Sequence, residues 1–223
     1  MKAAVCTGYG SPDVIKITEI EKPSPKANEV LIKVYATTVH RGDVRMRSFN
    51  VPGPPWQAII GRLFLGITKP RRAVLGMELS GKVEAIGKNV TKYKEGDEVF
   101  ASTVWCGLGG YAEYKCVPEN NVISKKPTNT TFEEAATLPS GGVTALWIIK
   151  KSKIQKDQKV LIYGASGSVG TFSVQFAKHL GAEVTGVCST QNIDLVKSLG
   201  AKYVIDYTKP VLFMIMRQNT RMA

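Results

Sequence analysis

Val160-Leu161-Ile162-Tyr163-Gly164-Ala165-Ser166-Gly167-Ser168-Val169-Gly170 is a short apolar run that stops abruptly in small residues. The apolar part reads as a buried strand. The next stretch, with Val169, Phe172, Phe176 and Leu180 at helical spacing, reads as an amphipathic helix. Without a Cβ at Gly167 the backbone can approach a pyrophosphate, Gly170 lets the helix pack close to the strand, and Ala165 fills the place of the first glycine. The start of the helix offers unpaired N–H groups and the positive end of its dipole to an anion. A glycine-rich turn alone is a weak signal. The strand before it, the helix after it and a second strand about 20 residues on make it a dinucleotide-binding turn.

Toward the C-terminus strand and helix alternate. Lys159–Tyr163 and Glu183–Cys188 read as extended, Ile193, Val196 and Leu199 as one helix face, and Val204–Asp206 as a third strand. Helices of this length between strands imply parallel pairing with right-handed crossovers, a βαβαβ unit. An NAD-selective site presents Asp or Glu at the end of its second strand, whereas Val187-Cys188-Ser189-Thr190 offers only hydroxyls. The expected cofactor is therefore NADP(H), whose 2′-phosphate would not be repelled. Ser189 and Thr190 equally suit the capping of the next helix.

Toward the N-terminus the period changes. Ala3–Cys6, Val14–Ile17, Val30–Tyr35, Ser80–Ile86, Glu98–Ala101 and Tyr111–Val117 read as short strands cut by turns such as Gly8-Tyr9-Gly10-Ser11-Pro12 and Gly96-Asp97. A folded-over β barrel is the natural architecture. Thr131 and Glu134 form a capping box, and a second apolar helix runs about Val143–Ile149. The expected division is a β-rich substrate domain over 1–127, a partial Rossmann domain over 128–207 and an atypical tail over 208–223.

Composition narrows the functional classes. The chain has 223 residues, 43% of them hydrophobic, enough for one large core or two ordinary ones. Its four cysteines, Cys6, Cys106, Cys116 and Cys188, include no close C-x-x-C pair, which predicts neither a cysteine metal site nor a redox disulfide and suits a reducing cytoplasm. Met1–Val5 has no signal-peptide character. Trp56–Ile67 is apolar but carries Arg62 and is shorter than the ~20 residues a span requires, so it reads as a surface helix with one apolar face. The net charge of +12 suits a polyanionic cofactor, an anionic membrane surface or nucleic acid. No aromatics interleave Lys150, Lys151, Lys153, Lys156 and Lys159, so that cluster reads as a solvated surface.

Gly164–Gly170, Thr131–Leu138, Gly76-Met77-Glu78-Leu79-Ser80-Gly81 and Gly96-Asp97-Glu98-Val99 together resemble the medium-chain dehydrogenases, in particular their quinone-oxidoreductase-like branch, over about residues 1–207. The resemblance implies a GroES-like β-barrel domain followed by a partial Rossmann domain, an α/β plus β chain. In the zinc alcohol dehydrogenases of that superfamily a cysteine three residues before an aspartate, and a histidine in a Gly-His-Glu triplet, hold the catalytic metal. Here His40 precedes Asp43 and Met77 replaces the histidine; the structural zinc lobe has no counterpart beyond Cys106. No zinc is expected. Without a Lewis acid the chemistry favours hydride delivery to an already electrophilic acceptor, a quinone, an enone or a related conjugated carbonyl.

The resemblance puts His40, where zinc-free members usually have asparagine, with Asp43 and Arg47 near the nicotinamide, so that His40 could donate a proton to the reduced acceptor. The alternative leaves His40 as a satisfied polar residue and pairs Asp43 with Arg41, Arg45 or Arg47. Val51–Ile67 could wall a flat substrate or simply pack. The expected cofactor contacts are Thr144, Ala165, Ser166, Gly167, Ser168, Val169, Gly170, Ser189, Thr190 and Tyr207; Tyr207 matches a family tyrosine, and Asn192 stands where a family lysine would be. The partners expected are a small conjugated carbonyl and, as an option, a second copy of the chain; membrane and nucleic acid are not expected.

The family continues beyond Tyr207, so a catalytically inactive nucleotide-binding or interaction fragment is the alternative function. An RNA-binding role for the basic surface is a third. Val211–Met216 cannot be the next parallel strand so soon after the third, since a crossover takes about a dozen residues. It could cover a sheet edge, pair with another copy or reflect a shifted reading frame.

Overall fold

The computed structural model describes residues 1–49 and 54–209. Val51 and Pro52 of the expected apolar wall, and Val211–Met216, lie outside the described residues. The chain divides into two compact units, Met1–Pro139 and Ser140 onward.

In the first unit β1 (Lys2–Cys6) and β2 (Ile15–Glu19) form an antiparallel pair. A five-stranded antiparallel sheet holds β3 (Glu29–Thr37), β4 (Glu78–Ile86), β5 (Glu98–Ser102), β6 (Tyr114–Pro118) and β7 (Ile123–Lys125) in the order β6-β3-β4-β5-β7. Single bridges, Ala3 to Ala112 and Val5 to Val74, tie β1 to this body. Val30, Ile32, Leu79, Val83, Val99 and Val117 are buried in one cluster on the sheet. Period-2 patterning located the longer strands to within a few residues but gave no sign of β7, whose Ile-Ser-Lys is extended only because it pairs with β5.

Two helices interrupt the β pattern: α1 (Arg41–Ser48) and α2 (Pro55–Leu65). After β7, α3 (Phe132–Ala136) starts at the expected capping box. Glu134 N–H donates to Thr131 Oγ1 at 3.2 Å and Thr131 N–H to Glu134 Oε2 at 2.9 Å, an arrangement worth about 1 kcal/mol. Its Phe132 ring stacks on Tyr35 at 4.6 Å between centroids, and Ser80 Oγ donates to its carbonyl, so α3 belongs to the β-rich body.

The second unit alternates as expected: α4 (Leu138–Ser152), β8 (Lys159–Tyr163), α5 (Ser168–His179), β9 (Glu183–Cys188), α6 (Ile193–Ser198) and β10 (Tyr203–Asp206). β8 and β10 both run parallel to β9, in the order β10-β9-β8. The fully buried side of α5 is Gly170, Ser173, Val174 and Ala177, while Phe176, from the line of Val169, Phe172, Phe176 and Leu180, packs partly buried against the same core. Small residues face the sheet because the helix lies close to it. The aromatic rings stack on each other at 6.4 Å, with Phe172 beside Gly141 of α4.

Candidate functional site

Where β8 ends, Gly164 takes φ +75°, a left-handed conformation that side-chain-bearing residues rarely adopt, and the chain turns into α5. The turn is fastened to the neighbouring strand: Gly164 N–H and Ala165 N–H both donate to the Val187 carbonyl of β9, each at 3.0 Å. Ala165 is fully buried. Gly167 N–H closes back on Gly164 O at 3.0 Å, and Gly167 is the N-cap of α5. A Cβ on Gly170 would sit 2.1 Å from Gly164 O and 2.8 Å from Ala165 Cα, so the helix start rests directly on the turn.

No side chain caps the start of α5, whose first-turn amides are therefore left to a ligand or to water. Ser166, Gly167, Ser168 and Val169 ring that end, with Gly167 and Ser168 exposed. An uncapped helix start, a backbone bare of Cβ atoms and the positive end of the dipole fit a diphosphate. From this turn a groove of about 790 Å³ runs along the edge strand β8, lined by Tyr163, Gly164, Gly167, Val169, Gly170 and Ile148 among others. Thr144 is exposed on α4, one turn beyond Gly141.

The end of β9 differs from its sequence reading. Thr190 Oγ1 donates to Asp206 Oδ2 at 2.5 Å and lies 2.9 Å from Thr208 Oγ1, while Ser189 Oγ accepts from Asn192 Nδ2 at 3.0 Å. Neither hydroxyl caps the helical turn at Thr190–Asn192. The segment itself carries only hydroxyls, yet a carboxylate stands beside it, contributed by β10. Hydrogen bonds from Thr190 and Thr208 hold the Asp206 carboxyl below its ordinary range. Tyr207 is half-exposed, its N–H donating to Cys188 O at 3.1 Å. Asp206 lies 16 residues from Thr190, and pattern reading along the chain gave no signal for the pair.

In the first unit His40 is the N-cap of α1. Its Nδ1 accepts from Gly42 N–H at 3.0 Å, which leaves Nε2 to carry the proton of the neutral ring. Asp43, 2% exposed, accepts from Gly76 N–H at 2.9 Å and His40 N–H at 3.3 Å, and the Tyr111 hydroxyl, which donates to Thr38 O at 3.2 Å, helps stabilise its charge. The expected pairing of Asp43 with Arg41, Arg45 or Arg47 is corrected: its hydrogen-bond partners are two backbone amides, because the carboxylate is buried in the protein. Burial raises its pKa, and the Gly76, Tyr111 and His40 donors offset part of the rise. Burial, then the Asp43 charge, pushes the Tyr111 phenol well above its ordinary value. Arg47 instead donates to Gly10 O at 2.8 Å, tying down the Gly8–Pro12 turn.

His40 and Met77, which the resemblance sets at metal-ligand positions of the zinc alcohol dehydrogenases, flank Gly42. A Cβ there would lie 3.0 Å from His40 Nδ1 and 2.6 Å from Met77 Sδ. Among the described residues no group of three or more His, Cys, Asp and Glu is gathered, all four cysteines are free, and no helix is long and apolar enough to cross a membrane.

Comparison with known proteins adds to this geometry. Residues 26–127 match the family described as "Alcohol dehydrogenase GroES-like domain" and residues 168–220 the one described as "Zinc-binding dehydrogenase". The chain is 35% identical over 218 residues to 2-methylene-furan-3-one reductase of Solanum lycopersicum, covering 94% of this chain and 53% of that protein. It is 34% identical over 218 residues to the chloroplastic NADPH-dependent alkenal/one oxidoreductase of Arabidopsis thaliana, with the same shares. Among solved structures it is similar to the quinone oxidoreductase from Coxiella burnetii, at TM-score 0.82 and 29% identity over 96% of this chain and 65% of that one. A mycobacterial protein complexed with NADPH matches at TM-score 0.74 and 29% identity, over 93% and 59%. The chain spans about half the length of these two curated relatives.

Proposed function

The chain belongs to the medium-chain dehydrogenase/reductase superfamily, and on that premise we propose that it is an NADP(H)-dependent oxidoreductase that reduces quinones, enones or related conjugated carbonyls without zinc. The observation that carries the reading is the uncapped start of α5 seated on the Gly164–Gly170 turn, a fit for a dinucleotide diphosphate. The named activities of the alkenal/one and quinone oxidoreductase relatives support the acceptor class. NADP(H), when bound, supplies hydride.

The chain's own residues then have separable roles. The first-turn amides of α5, seated on the Gly164–Gly170 turn, hold the diphosphate. His40 holds a proton on Nε2 for the reduced acceptor, and Asp43 is a positioning residue, clamping the loop that carries Gly76 to the start of α1. A thioether at Met77 and a single imidazole at His40 are a poor donor set for zinc, which takes thiolate, imidazole or carboxylate. His40→Asn keeps a good N-cap but removes the proton, so turnover should fall about 100-fold with little change in melting temperature. An unchanged kcat would remove His40 from the chemistry.

NADPH and NADH are separated by fluorescence titration. NADPH should bind more tightly, and Asp206→Asn should tighten NADPH by about tenfold more than NADH, since removing a carboxylate beside Thr190 relieves repulsion of a 2′-phosphate. Equal dissociation constants in both proteins would refute the cofactor assignment. The second reading, nucleotide binding without turnover, is favoured by one observation: β8 lies at the sheet edge with Leu161 57% and Tyr163 69% exposed. Tight NADPH binding with no oxidation across a panel of quinones and enones would establish it.

A further inference from the structure

α2 turns its apolar stripe outward. Trp56, Ile59, Ile60, Leu63 and Phe64, continued by Ile67 just past its end, stand at the i, i+3, i+4, i+7, i+8 and i+11 spacing of one helical face. All six are exposed, Phe64 to 74%. Gln57, Gly61 and Leu65, on the other side, are only partly exposed. The orientation is fixed rather than incidental. Tyr9 Oη donates to Gly66 O at 2.9 Å, the Arg62 guanidinium lies 4.5 Å from the Phe49 ring centre, and Arg71 Nη2 donates to Leu63 O at 2.7 Å.

The charge in the sequence that flanks this stripe has one sign. From Val44 to Met77 the sequence holds Arg45, Arg47, Arg62, Lys69, Arg71 and Arg72 and no Asp or Glu. Lys69, Arg71 and Arg72 are exposed just beyond the helix.

We propose that α2 is a docking surface for an anionic lipid membrane, lying in its plane with the apolar stripe in the headgroup–acyl boundary and the basic residues against the headgroups. Eleven residues are too few to cross a bilayer but enough to lie in its interface. A second copy of the chain fits this surface poorly, because two such helices face to face would bring their arginines and lysines together with no acid between them. A lipid-facing stripe would bring the protein to where apolar quinones and alkenals concentrate.

The test is co-sedimentation of the whole chain with vesicles of phosphatidylcholine alone or mixed in equal parts with phosphatidylglycerol. Binding to the mixed vesicles should exceed binding to phosphatidylcholine by about tenfold and weaken with salt. A blue shift of tryptophan emission that Trp56→Gln removes should accompany it. Leu63→Glu combined with Phe64→Glu, both at exposed positions, should abolish sedimentation without lowering the melting temperature. Three results overturn the proposal. One is no binding to the mixed vesicles. Another is undiminished binding by the double variant, which would assign the lipid to another surface such as the Lys150–Lys159 cluster. The third is a dimer that the double variant dissociates in a protein that ignores vesicles, which would give the stripe to a second copy.

Discussion

Gly170→Val is expected to disable the second unit, with loss of its melting transition or a fall of about 3 kcal/mol in its stability, the top of the usual overpacking range. The first carbon added would meet the Gly164 carbonyl oxygen at 2.1 Å and the Ala165 Cα at 2.8 Å. Neither is a flexible side chain. Relief requires α5 to move off β8, and that opens the amide cradle. A strain of about 3 kcal/mol borne by the binding-competent form corresponds to roughly a 100-fold loss of NADPH affinity. Gly164→Ala makes the contrast: nothing lies within 4 Å of the new carbon, and only the positive φ opposes it, for about 1–2 kcal/mol. Circular-dichroism melting and NADPH fluorescence on both variants check the order. Equal effects would mean that the close approach of helix to turn is not what the site depends on.

Asp43→Ala is expected to destabilise the first unit by about 3 kcal/mol, roughly 10 °C in melting temperature, because it strands the Gly76 and His40 amides that the carboxylate receives. The pH dependence carries a sign that separates this residue from an ordinary ion pair. Burial raises the pKa of Asp43 in the folded protein, so between its ordinary value and the raised one the folded state holds a proton that the unfolded chain has lost. Stability from this group is complete below the ordinary carboxylate pKa and declines as pH rises through that window. Asp43→Asn, which retains an acceptor for Gly76, should lose less stability near neutrality than Asp43→Ala and should flatten that slope. Denaturant titrations at several pH values measure it; a wild-type slope of opposite sign would contradict the burial argument.

The dinucleotide turn was legible because its signal is local: a strand, a run of small residues and a helix within about 20 positions fix backbone geometry with little help from elsewhere. The βαβαβ order came from strand and helix lengths, and the α3 capping box from two residues three apart. What sequence concealed is what the tertiary structure decides. Periodicity marked α2 as amphipathic but could not tell that its apolar face is the outward one. On α5 it marked the line of large apolar residues but gave no sign that Gly170, Ser173, Val174 and Ala177 are the fully buried ones. The arginines beside Asp43 in sequence are not its partners; Gly76, which is, arrives from 33 positions away by a loop that pattern reading cannot place. The carboxylate beside Thr190 is likewise supplied by a different strand.

The double acceptance by the Val187 carbonyl reaches further than local fastening. Successive carbonyls along a strand point to opposite sides, so if β9 slipped by one residue against β8 no oxygen would stand where Gly164 and Ala165 need it. The cradle therefore exists only in molecules whose strands are correctly threaded. Nucleotide taken up during folding would draw the population toward those molecules by mass action, which makes the ligand a template for strand alignment as well as a reagent.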